Sequence, residues 1–151
     1  METQFKLLID ILTKKYNTLS EILSITENQG IILKTMPEER EMFMGMVEEK
    51  QTRIDSISTG DDIFNKVFAE TMEILKKEKN TYKTYIVQMQ KLIKAIMDME
   101  IRIRLEERNN QKRMQNAINI IPMKLAAKHY ANQKTQTVKQ AVKNINSNMK
   151  G

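Results

Sequence analysis

The chain has 151 residues and a mass of 17.7 kDa, enough for one domain or two small ones, and 40% hydrophobic with 29% charged residues is a globular balance. Four Gly and two Pro are too few for a many-turned β-sandwich or barrel. The lack of Cys and the single His exclude a disulfide framework, a thiolate or multi-histidine metal site and a cysteine nucleophile.

The net charge of +6 hides a division. Residues 1–107 hold 16 Lys+Arg and 19 Asp+Glu, a net of −3, whereas residues 108–151 hold 9 Lys+Arg and no acid, a net of +9. A one-signed segment repels itself, so it is expected either to be a solvated basic tail or to offer a surface to an acidic or amphipathic partner.

In chain order, Phe5, Leu8, Leu12, Tyr16, Leu19 and Leu23 step by three or four, placing them on one stripe of a helix. Ile9, Ile22 and Ile25 widen the stripe. The helix is expected to fade near Asn28-Gln29-Gly30 or to run on through Ile31, Ile32 and Leu33. Thr35-Met36-Pro37-Glu38 reads as a capping box opening the next helix. Phe43, Met46, Val47, Lys50, Ile54 and Ile57 then follow at helical spacing. Ser58 to Asp62 interrupts the pattern around Gly60, and Ile63, Phe64, Val67, Phe68, Met72 and Leu75 resume it, as a new helix or a kinked continuation.

Glu78-Lys79-Asn80-Thr81 is the next polar break. Tyr85, Met89, Leu92, Ile96, Met99 and Ile103 then alternate steps of four and three, the seam of a coiled coil. Glu106 to Arg113 is wholly polar, which predicts that core contact ends or loosens there. Met114, Ile118 and Ile121 restore an apolar stripe up to Pro122. Val138, Val142, Ile145 and Met149 give one last, narrow, Lys-rich stripe that should not be stable alone. The expected fold is all-α: an elongated antiparallel bundle or coiled coil of three to four long helices over residues 1–121, with a weaker basic helical segment over 122–151.

Little points to catalysis. Glu38-Glu39, Glu48-Glu49, Asp61-Asp62 and Glu106-Glu107 are adjacent pairs whose side chains diverge on a helix, so they are expected to be surface or capping charges. His129 has no acidic residue within twenty positions to orient it as a base. No phosphate loop, dinucleotide turn or nucleophile elbow occurs. The expectation is a non-enzyme with no cofactor, no metal and no small-molecule substrate. The 12 Met fit gap-filling core or an adaptable contact surface, with one of Met42 and Met44 facing outward. The first residues lack a basic n-region and no stretch approaches the roughly 18 apolar residues of a bilayer span. A cytoplasmic location without membrane insertion is therefore expected.

Several stretches resemble flagellar type III export chaperones of the FlgN type, which serve the hook–filament junction proteins. They are Leu12 with Tyr16-Asn17-Thr18-Leu19, Ile25-Thr26-Glu27-Asn28-Gln29, the run Met46 to Ile57, Asp62-Ile63-Phe64, and Lys124-Leu125-Ala126-Ala127-Lys128-His129-Tyr130. The likeness is spread over most of the chain as diffuse helical positions. The chain's end, Asn146 to Gly151, has neither the aromatic nor the acidic residue with which that family commonly ends.

The resemblance implies a small cytoplasmic helical protein that binds the terminal amphipathic helices of hook-associated export substrates. It would prevent their premature assembly and deliver them to the export machinery. On this reading the partner-binding residues are Met114, Ile118, Ile121, Tyr130, Val138, Val142, Ile145 and Met149, with a homodimer possible. Two rivals stand beside it. One is a basic helical nucleic-acid-binding protein, disfavoured because the +9 segment has only Arg108, Arg113 and Tyr130 for guanidinium or stacking contacts. The other is a structural coiled-coil homo-oligomer.

Overall fold

The computed structural model describes residues 1–78 and 80–117. Within them the only regular structure is helical: α1 spans Glu2–Thr35, α2 Arg40–Lys77 and α3 Lys83–Ala117, with no strand among the described residues. At 1.5 Å per residue each helix is a rod of roughly 50 Å or more. The expected sites at Ile118, Ile121, Tyr130, Val138, Val142, Ile145 and Met149 lie outside the described residues.

The three rods run up, down and up. Lys15 meets Asp61, Glu21 meets Arg53 and Gln29 meets Lys50, so α2 is antiparallel to α1. Phe5 stacks on Tyr82 and Tyr85, and Thr26 meets Asn110, so α3 runs parallel to α1. Helix α1 packs closely on both partners, whereas α2 and α3 do not approach each other as closely.

The stripes bury as their spacing requires. Phe5, Leu8, Leu12, Leu19, Ile22 and Leu23 of α1 join Ile54, Ile57, Phe64 and Phe68 of α2 and Met89, Ile93, Ile96, Met99 and Ile103 of α3 in one apolar cluster. Burying each such side chain contributes about 1.5–3 kcal/mol. Ile32, Leu33, Phe43, Val47 and Met114 form a second cluster at the far end. Met42 points outward while Met44 and Met46 pack against that second cluster.

Of the two readings open at Gly30, the structure shows the second: α1 runs on through Ile31, Ile32 and Leu33 to Thr35. A Cβ at Gly30 would lie 2.6 Å from Arg113 Nη1 and 2.7 Å from Asn110 Oδ1, so the glycine serves the close approach of α3 while α1 continues. Likewise α2 continues through Gly60 and does not restart as a new helix; a Cβ added there would lie 3.9 Å from Ile11 Cγ2. Other expectations are corrected. The Thr35–Glu38 capping box does not form. Thr35 is the last residue of α1 and donates its hydroxyl to the Ile31 carbonyl (2.7 Å), leaving Met36–Glu39 as the connection. Core contact does not end at Glu106–Arg113 either, because Glu107 and Asn110 are buried.

Candidate functional site

The only sequence-predicted site residue within the described part is Met114. It is fully buried in the second cluster with Ile32, Leu33, Phe43 and Val47, not on an open stripe. Its packing seats the end of α3 in the bundle, next to the basic segment that follows.

Between the two apolar clusters lies a buried polar layer. Burial recurs on α3 at Met89, Ile93, Ile96, Glu100, Ile103, Glu107, Asn110 and Met114, so helical spacing carries Glu107 and Asn110 inward. The same spacing brings in Thr26 and Gln29 from α1 and Lys50 from α2. Lys50 Nζ donates to Glu107 Oε1 and, at 2.9 Å, to Gln29 Oε1. The Thr26 hydroxyl donates to the Ile22 carbonyl (2.7 Å) and lies 3.4 Å from Glu107 Oε1. Asn110 Nδ2 donates to the Thr26 carbonyl (2.8 Å), and Arg113 Nη1 donates to Glu106 Oε1 and Asn110 Oδ1, both at 2.7 Å. Glu107 Oε2 and Gln29 Nε2 have no hydrogen-bond partner among the described residues. Burial makes the charged form of Lys50 costly and holds its ammonium below the ordinary lysine range, against the attraction of Glu107. Lys50 and Glu107 are each about 1% exposed, so solutes do not reach them. The layer's chemistry is positional: it ties all three helices together at the root of the basic segment.

A second buried pair joins α1 to α2. Lys15 Nζ donates to both carboxylate oxygens of Asp61, at 2.9 and 3.1 Å. Desolvation lowers the Lys15 pKa from its ordinary value and raises that of Asp61, each opposed by the partner's charge. The pair floors a cleft of about 310 Å³ between α1 and α2, lined also by Ile11, Lys14, Thr18 and Ile63.

The pKa shifts set a pH dependence. Near alkaline pH the unfolded chain keeps the Lys15 proton more readily than the folded one. Stability should therefore rise with pH between the lowered folded value and the ordinary lysine value of 10.5. Urea midpoints measured across that window should climb in the wild type. The climb should shrink in a Lys15→Met/Asp61→Leu double variant.

Asp61 and Glu107 correct the reading of Asp61-Asp62 and Glu106-Glu107 as surface or capping charges, because the first of one pair and the second of the other face the core. Sequence reasoning also passed over Lys15, Gln29 and Glu100 as interior positions. The signal was present: Lys50 stands inside the apolar stripe of α2, and Lys15 follows Leu12 and precedes Leu19 at the same spacing.

No group of three or more His, Asp or Glu that could hold a metal occurs among the described residues. No helix among them is long and apolar enough to cross a membrane. No family model, curated protein or solved structure matches this chain.

Proposed function

We propose that this chain is a cytoplasmic, non-catalytic export chaperone. It would bind terminal amphipathic helices of hook–filament junction proteins, keep them from assembling early and hand them to the flagellar export machinery. The family resemblance supplies that reading, and one observation supports it. Glu107, the last acidic residue, is buried and paired with Lys50, so its charge is committed inside the bundle. The nine basic residues that follow have no acid of their own, and their charge favours encounter with acidic client segments. The client helix would lay its apolar face on the stripe of Val138, Val142, Ile145 and Met149, continuing from Ile118, Ile121 and Tyr130. The four-three seam of α3 is read as coiled-coil packing against α1.

Full-length Val138→Glu, Val142→Glu and Ile145→Glu variants test the reading by calorimetric titration with the terminal helices of hook–filament junction proteins. Each variant should lose binding at least about ten-fold, the equivalent of 1.4 kcal/mol, with helicity and melting unchanged. Unaltered binding, or global unfolding, would count against this placement of the site.

A further inference from the structure

We propose that the outer face of α3 is a separate docking surface for an amphipathic helix with acidic flanks, supplied by a different protein. Met97, Ile101 and Leu105 are 41%, 48% and 52% exposed. Their four-residue spacing sets them in a ridge of roughly 12 Å on the side of α3 away from Ile96, Ile103 and Glu107, which face the core. Large aliphatic side chains in an exposed row are a contact feature, unlike scattered single ones.

Charge identifies the occupant. The residues beside the ridge include Lys91, Lys94, Arg104, Arg108 and Lys112, with Asp98 the one acid among them. Arg104 leans toward Glu100 at 3.8 Å, and the four other bases are exposed. Residues 118–151 add six Lys and no acid, so the chain's own end would bring like charge to this face. A second copy fares little better. Antiparallel self-pairing about Ile101 sets Met97 opposite Leu105, but its Asp98–Arg104 match is offset by Lys94 opposite Arg108, and parallel pairing sets each base beside itself, so a second copy leaves the excess of bases unanswered. The ridge has no aromatic side chain on which a nucleobase could stack. Three side chains over roughly 12 Å also give too little apolar area to hold a bilayer interface by themselves. A helix with its own apolar stripe and acids on both sides satisfies the ridge and the bases together.

This surface stands independently of the C-terminal site proposed above, and one experiment separates the two. Full-length protein is titrated with a synthetic amphipathic peptide carrying leucines at three- and four-residue spacing and glutamates on both flanks, and with its lysine-flanked counterpart. The glutamate peptide should bind, more weakly as salt rises, and the lysine peptide should not. Ile101→Glu should weaken binding at least ten-fold, about 1.4 kcal/mol, with unchanged melting because the site is exposed. Val142→Glu should leave it unaffected. The proposal is overturned if Ile101→Glu binds the peptide like wild type, or if Val142→Glu alone abolishes binding. It fails equally if sedimentation shows a wild-type dimer that Ile101→Glu dissolves. Ridge-dependent binding of phosphatidylserine vesicles or single-stranded DNA in place of the peptide also overturns it.

Discussion

Replacing Lys50 with Met should destabilise the protein by about 3–5 kcal/mol, because it leaves the Glu107 carboxylate in the interior with no counter-charge. Lys50 and Glu107 are among the most deeply buried side chains in the bundle, and Lys50 also satisfies Gln29 Oε1. The companion double variant, Lys50→Met with Glu107→Leu, should recover most of that loss. An apolar pair of similar volume commonly replaces a buried ion pair with little change in stability or a gain. Urea unfolding of the wild type, both single variants and the double variant gives the coupling energy directly. A double variant no more stable than Lys50→Met would show that Gln29, Thr26 and Asn110 depend on the ion pair for their own positions.

Phe5→Ala should cost a similar amount, about 3–5 kcal/mol, for a different reason. The Phe5 ring is fully buried, with its centroid 4.8 Å from that of Tyr82 and 5.5 Å from that of Tyr85, both nearly parallel to it. It fastens the start of α1 to the start of α3, the two helices that run parallel and therefore have no short connection to hold them together. Tyr85 adds a hydrogen bond from its hydroxyl to Glu2 Oε1 at 2.6 Å. Phe5→Leu, which keeps most of the apolar volume, should lose mainly the stacking, about 0.5–1.5 kcal/mol per ring pair. Denaturant midpoints of the two variants, with hydrogen exchange at the ends of α1 and α3, check this. Equal small losses in both would mean that the first turn of α1 is loosely held.

The helices themselves were legible because apolar side chains at three- and four-residue spacing can only be buried together on one face of a helix. Phe5 to Leu23 and Tyr85 to Ile103 show this. Legibility failed where a polar residue occupied an interior position of the same spacing. Read as hydrophobicity, Glu106 to Arg113 is a gap; read as periodicity, Glu107 and Asn110 fall four and seven residues after Ile103 and continue its row. Gly30 left two readings open for a related reason. A glycine near the end of a periodic stretch can be a stop or an interior residue, and only the close approach of Asn110 and Arg113 explains why it sits within the helix. Of the candidate site, Met114 was identified as apolar and helical, but not as interior, since its neighbours Ile32, Leu33, Phe43 and Val47 come from other helices.

By itself, then, the amino-acid order determined the helical character of the described residues, the division of charge at Glu107 and the lack of cysteine. Each of these depends only on residue type and local spacing. Tertiary structure alone decided that α3 runs beside α1, that Lys15 pairs with Asp61 and Lys50 with Glu107, and that Met97, Ile101 and Leu105 face outward. Those outcomes depend on which faces of separate helices meet. The apolar stripe of a helix marks the face to be covered, but nothing local says which other helix will cover it or which polar residues will meet there.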